Sequence, residues 1–559
     1  MAERMKEPAR ISGLMALAAL VAVVLAPPEA FGSGRMLLVV LATFAFLILA
    51  VEGSVPTRYL TLGAALWGVL LLHSLALSVD PYRSVEFLGL AWAYYCLFGV
   101  FRYAPSDLRV RACVVLVVLA SAVSLYGLHQ YLWGFDNLSD LVLASEAPET
   151  SRESILGLLA NERVFATFAL PGTLWGFLIL TIPLHLALWA PGNRVRQAAV
   201  VANAVLLVAV AALTQSYGFI LGLVVVAAGL ALTRSRRALR TAILASAAAA
   251  PLAAGMVALL GMARASTHDP VWLRLQNWLS AWEIFRAHPF GAGLNSYAVI
   301  YPQFQQPGAN ETQFAHNTPV QLTAELGILA LVALAPVVLY LARRLGGLHS
   351  GENIRRYLLV ALMVWGVHNL MDINVYFGSL GAVGAALLGL FAWSPAPGFR
   401  PDPGRMRPFA VGAAGVLAAL ALVSSGAIFV SGELLVAART DLEFGKTGQA
   451  SETLLTAARI NPFDSSIMHE AGQTELELYH RTHDPARLDN AQEFFSKAIR
   501  LSPLKVGPHI GLALSLASED RLEEAIDQLR IAQMLHPPGA QTRNIRRLIE
   551  LRRAGTAVR

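Results

Sequence analysis

An all-α membrane protein is predicted: a polytopic transmembrane helical bundle of about 12–13 helices, followed by a small C-terminal domain of helical repeats. Three observations predict it. Of 559 residues, 56% are hydrophobic and only 14% charged, against roughly 25% charged in soluble domains. The apolar residues gather into runs that match a bilayer core of about 30 Å, which takes roughly 17–25 residues per helix. Beyond residue 430 the long runs stop, charges become frequent and a pattern of small residues recurs.

The spans centre near Ala18, Ala45, Trp67, Tyr94, Val118, Ile179, Leu206, Val225, Met256, Leu331, Val364, Ala385 and Leu420. Arg4, Lys6 and Arg10 precede the first run, Ile11–Leu25, which lacks a small-x-small cleavage site and reads as a retained helix. The net charge of +6 comes from Arg clusters between runs, a mark of membrane topology rather than of a nucleic-acid surface. Those clusters alternate. One set of connections, from Arg4 to Arg407, holds roughly twenty basic residues, and the other, from Arg35 to Arg286, about a third as many. The positive-inside rule then places the N-terminus in the cytoplasm, and an odd number of spans places the C-terminal domain outside. Two long connections, 133–162 and 263–315, share that outer side, where function concentrates.

Cys96 and Cys113 lie in or beside apolar runs, which excludes a disulfide framework and a thiolate metal site. No HExxH, Walker loop, GxGxxG or acidic DxD pair is present, which argues against an ATP-driven pump and a nucleotide-sugar transferase. No cofactor or metal is expected.

The second outer connection carries the chemistry. Asp269-Pro270 reads as an N-cap with proline at the first helical position. The helix that follows places Arg274, Trp278 and Trp282 on one face, the tryptophans as interfacial anchors and Arg274 as a bidentate clamp for a lipid-linked phosphate. His288-Pro289 and the pair Gly291/Gly293 end it. Thr318-Pro319-Val320-Gln321 has the form of a capping box opening a membrane helix. His316 and Asn317 stand just before it, where the helix dipole favours an anion and a neutral imidazole able to accept a proton. Thr318, Gln321 and Glu325 continue as a polar stripe, and Glu325 needs the bundle interior or water at that depth. Arg163 is either a snorkelling anchor or a second phosphate contact. His368 and Asp372, at i and i+4, either pair with each other or serve the site. His73, His129 and His185 are isolated and satisfied by neighbouring helices.

In the C-terminal segment, Ala450/Leu454/Ala457/Pro462, Ala491/Phe495/Ala498/Pro503 and Ala525/Leu529/Ala532/Pro537 recur. The last interval is about the 34 residues of a tetratricopeptide repeat, and the first is longer because of an insert around Thr482-His483-Asp484-Pro485. The domains are therefore 1–430, membrane, and 431–559, repeats that offer a partner-binding surface rather than chemistry.

Arg274-x-x-x-Trp278, His288-Pro289-Phe290-Gly291-Ala292-Gly293, Ala315-His316-Asn317 and Ala324-Glu325-Leu326-Gly327 together resemble the O-antigen ligase/polymerase superfamily. The segments Arg163–Phe168 and Val367–Asp372 are similar to further stretches of its members. The resemblance implies about twelve helices with an outward-facing site. It also implies transfer of a glycan from an undecaprenyl-pyrophosphate carrier to a lipid, glycan or protein acceptor, at the bacterial cytoplasmic membrane. Where members carry Ser-Arg-Gly, this chain reads Ser216-Tyr217-Gly218, so that Arg163 and Arg274 would have to hold the pyrophosphate. His316 would accept the acceptor's proton or contact phosphate, Glu325 would orient His316 or the helix start, and Asn317, Tyr217, His368 and Asp372 would line the substrate. Polymerisation with the same donor is the alternative within the enzyme class. A non-catalytic scaffold recruiting envelope proteins is the alternative outside it. A transporter would need more intramembrane charge than Glu325, His368 and Asp372 supply.

Overall fold

The computed structural model describes residues 6–103, 105–144, 149–188, 192–216, 219–232, 270–344, 353–393 and 405–553, and among these every regular element is a helix. Twelve of the thirteen span centres fall in helices; the one near Met256 lies outside the described residues. Among the described residues, seven helices are long and apolar enough to cross a bilayer: Glu7–Leu25, Gly32–Glu52, Thr57–Ala76, Pro81–Tyr103, Asp107–Ala144, Arg194–Leu213 and Arg407–Glu443. The connection expected at 133–162 is largely helical. The fifth of these helices continues through a π turn at Gln130–Gly134 as far as Ala144, and Glu149–Leu159 follows as a separate helix. Such a turn inserts one extra residue and redirects side chains.

The described residues fall into two compact units that do not follow chain order. The first draws on Met1–Leu70, Leu88–Ala254 and Val332–Ser425. Its central element is Pro171–Ala187, apolar on every side and buried from Thr173 to Leu180, as a helix without a polar face must be. Asn353–His368 and Arg194–Leu213 pack against it. Tyr59 and Tyr95 stack at 4.8 Å, and each hydroxyl donates to the other's carbonyl at 3.0 Å.

The second unit draws on Leu71–Phe87, Gly255–Leu331 and Gly426–Arg559. Three helices build its first part: α1 (Pro270–Ala287), α2 (Tyr297–Phe304) and α3 (Thr318–Leu326). They share a core of Ala281, Ile284, Ala292, Tyr297, Ile300, Tyr301, Ala315 and Ala324, against which Trp278, Val79 and Leu504 pack. Its second part is a stack of consecutive helices: the end of Arg407–Glu443, then α4 (Thr447–Ile460), α5 (Ser465–Thr482), α6 (Pro485–Leu501), α7 (Val506–Ser518), α8 (Leu522–Leu535) and α9 (Ala540–Arg553). Ala450, Leu454, Ala457, Ala491, Phe495, Ala498, Ala525, Leu529 and Ala532, the recurring small and apolar positions, are all 0% exposed. The insert does not form a loop. It lengthens α5 to 18 residues against 13 in α7, and α6 to 17 against 14 in α8. His483, at φ 55°, ends α5 in the left-handed conformation, and the Asp484 side chain caps α6.

Candidate functional site

His316 lies in the second unit, half-buried, with its backbone at φ 54°. A non-glycine residue in the left-handed region is strained by about 1–2 kcal/mol, and such strain gathers at functional sites. The surroundings hold it there. Asn317 at φ −159° is the N-cap of α3, and its Oδ1 accepts from Val320 N at 3.1 Å. The cap expected at Thr318 is thus one residue earlier: Thr318 begins the helix, and Pro319 removes an N–H that would have had no partner.

A relay runs from that cap into the unit. Ala315 N donates to Gln321 Oε1 at 3.0 Å, and Gln321 Nε2 donates to Glu325 Oε1 at 3.2 Å. Glu325 is 0% exposed, and it also accepts from Asn295 N at 2.7 Å and Tyr297 N at 3.2 Å. The carboxylate therefore ties three segments together: α3, the start of α2, and, through Gln321, the residue before His316.

The two glycine motifs have one steric cause. Ala292 N and Gly293 N donate to Ala324 O and Glu325 O at 3.1 and 2.8 Å, and Ile328 N donates to Pro289 O at 3.0 Å. The two backbones run so close that a Cβ on Gly327, at φ 61°, would lie 2.1 Å from Pro289 O. On Gly291, at φ 93°, it would lie 2.3 Å from Glu325 O. His73 Nε2 hydrogen-bonds Phe290 O, in a turn rather than a neighbouring helix, at 2.7 Å, and its buried Nδ1 has no hydrogen-bond partner among the described residues.

Arg274 is half-buried on α1 and makes no ion pair among the described residues. One turn on, Trp278 is not an interfacial anchor: its indole N–H donates to Ala315 O at 2.9 Å and its ring packs on the core. Trp282, 54% exposed, fits the anchoring role. The Trp278 bond attaches the Arg274 helix to the residue before His316. Asp269 lies outside the described residues.

The remaining candidates belong to the first unit. Arg163 Nε donates to Thr214 O at 3.1 Å, while Gln130 Oε1, in the π turn, accepts from Phe165 N and Ala166 N at 3.1 and 2.9 Å. His368 Nδ1 hydrogen-bonds Asn374 at 2.6 Å, and Asp372 Oδ1 accepts from Ile373 N at 2.9 Å. Gly176 gives the His368 ring room, since a Cβ there would lie 3.2 Å from it, whereas a Cβ on Gly172 would meet the Asp372 carboxylate at an ordinary 3.6 Å. Tyr217 lies outside the described residues.

Several polar residues around His316 went unrecognised in the sequence. A cleft of about 800 Å³ is lined by His316, Arg83, Tyr301, Glu311 and Phe314 and, from the helical stack, His469, Lys505 and His536. Asp80 is 1% exposed, faces Lys505 Nζ at 3.6 Å, and caps its own helix by accepting from Arg83 N at 3.1 Å. Asp80-Pro81 carries the same cap-then-proline signature as Asp269-Pro270, so a signal for the helix start was present. Burial pushes the Lys505 ammonium below the usual lysine range; Asp80 opposes the shift and Arg83 adds to it. Burial also lowers His469 to about 4, and its Nδ1 has no hydrogen-bond partner.

Residues 202–335 match the O-antigen ligase family model. No curated protein sequence matches the chain. The O-antigen ligase match contains Arg274, His316, Asn317 and Glu325 together with both glycine motifs, whereas Arg163, His368 and Asp372 lie outside it. Multiple apolar helices and this match support glycan transfer in a membrane at the level of the family.

Proposed function

We propose that the chain is an inverting glycan transferase of the bacterial cytoplasmic membrane. It moves an undecaprenyl-pyrophosphate-linked oligo- or polysaccharide to an acceptor hydroxyl at the outer face, where the repeats also lie. The observation that carries this reading is the strained His316, held before a capped helix by the Ala315–Gln321–Glu325 relay inside the O-antigen ligase match.

In the reaction, the acceptor oxygen attacks the anomeric carbon from the face opposite the pyrophosphate, and the carbon–oxygen bond to the pyrophosphate breaks. Undecaprenyl pyrophosphate leaves with the bonding electrons, and Arg274 stabilises its growing charge bidentately. The acceptor's proton passes to His316. Glu325, through its hydrogen bonds to Asn295, Tyr297 and Gln321, keeps His316 in register. Arg163, His368 and Asp372 are assigned no step.

Arg274→Ala and His316→Ala should each abolish transfer in membrane vesicles at near-normal protein abundance. Arg274→Lys should recover little, because an ammonium cannot reproduce the guanidinium fork. Full activity in either alanine variant removes the assigned role.

A further inference from the structure

The cleft beside His316 has two walls, both within the second unit. Tyr301, Gln305, Asn310, Gln313 and Phe314 form one with His316; His469, Lys505, Val506, Gly507 and His536 of the helical stack form the other. Polar contacts tie the stack to the loop wall and to the segment at Asp80–Tyr82. Lys505 faces Asp80, Asn461 Nδ2 donates to Tyr82 Oη at 2.7 Å, and His536 Nε2 hydrogen-bonds Gln305 Oε1 at 3.1 Å. Leu504 packs into the core shared by α1, α2 and α3. The cleft is thus a formed site, and its volume of about 800 Å³ lies within the roughly 300–1,000 Å³ of small-ligand sites.

Its chemistry selects an occupant. Arg83, Glu311, Lys505 and three histidines line it, and hydrocarbon does not tolerate that density of ionisable groups. The chain of a lipid carrier is therefore excluded. Planar amides at Asn310 and Gln313 beside the ring of Phe314 suit a saccharide, whose hydroxyls both donate and accept and whose C–H faces lie on aromatic rings. Among the described residues the Arg83 guanidinium makes no hydrogen bond or ion pair and is available to such a ligand.

We propose that the helical stack supplies one wall of the acceptor site, and that a saccharide segment of the acceptor sits between it and the His316 loop. The assignment as acceptor rests on the transfer reading above; binding of a saccharide in the cleft does not. The stack then acts in cis on the reaction, rather than only as a surface for other proteins.

The test uses full-length protein in nanodiscs with single cysteines at Gln313→Cys on the loop wall and Val506→Cys on the stack wall. Cys96 and Cys113 are buried, so the introduced thiol is the one that reacts. The probe is the producing cell's surface polysaccharide, delipidated and cleaved to short fragments. Each unlabelled variant's own binding is the reference, and a bulky maleimide at either position should abolish it while leaving undecaprenyl-pyrophosphate binding intact. Arg83→Gln should weaken fragment binding about tenfold or more, the loss of a hydrogen bond to a charged group. Binding that survives the label at Val506→Cys overturns the proposal, as does no fragment binding to the parent, or competition by unrelated peptides as strong as by the fragments. Loss of carrier binding on labelling places the donor in the cleft and overturns it too. If fragments bind and labels block them but His316→Ala still transfers glycan, the transfer reading fails and the saccharide site stands.

Discussion

Glu325→Gln separates a positioning role from a chemical one. The carboxylate, in a site with no exposure, accepts hydrogen bonds from Asn295 N, Tyr297 N and Gln321 Nε2. An amide replaces one oxygen with a donor. In either orientation it meets at least one N–H head-on, orphaning that donor and removing the charge from the bonds that remain. The cost is about 2–4 kcal/mol. If local opening governs exchange, amide protection at Asn295 and Tyr297 should fall roughly 30- to 700-fold, at 1.4 kcal/mol per factor of ten. Ala315, one step further along the relay through Gln321, should lose less. Hydrogen–deuterium exchange with mass spectrometry on the full chain reads peptides covering 292–299 and 313–322. Transfer should fall with the protection at Ala315. Unchanged protection with abolished transfer would mean that Glu325 acts on the reacting groups directly, and lost protection with full transfer would mean that His316 does not depend on the relay.

Gly327→Ala should destabilise the protein by more than about 3 kcal/mol, because the new Cβ meets rigid backbone at Pro289 and Gly291 in a left-handed conformation; a thermal midpoint equal to the parent's would refute the crossing. His469 binds its proton near pH 4 when folded and near 6.5 when unfolded. Stability should therefore be untouched above pH 6.5 and fall between there and about pH 4, by on the order of 3 kcal/mol. His469→Leu should flatten that part of the stability–pH curve, and an unchanged slope would refute the assignment. A C-terminal alkaline phosphatase fusion should be active and a green fluorescent protein fusion, exported unfolded, dark. The reverse pattern would place the repeats in the cytoplasm.

Part of this protein was legible in local pattern. Apolar runs located twelve helices, and Pro270 opens its helix as a proline at a first turn should. Ala450, Ala457, Ala491, Ala498, Ala525 and Ala532 are each 0% exposed, since close helix–helix contact leaves room only for small side chains there. The paired motifs 288–293 and 324–327, which carry the family resemblance, fall inside the O-antigen ligase match. Each of these signals is carried within a few turns of chain.

What only the tertiary structure decided involves partners distant in sequence. Glu325 could be placed on a polar stripe, but not matched to Asn295 and Tyr297, because no periodicity encodes which loop returns to a buried carboxylate. Trp278 and Trp282 share a helix face, and only the approach of Ala315 distinguishes an inward hydrogen bond from an exposed anchor. Asp80 and Lys505 are ordinary charges in their own segments. Burial makes each dependent on the other, and that dependence joins the helical stack to the start of the helix that begins at Pro81.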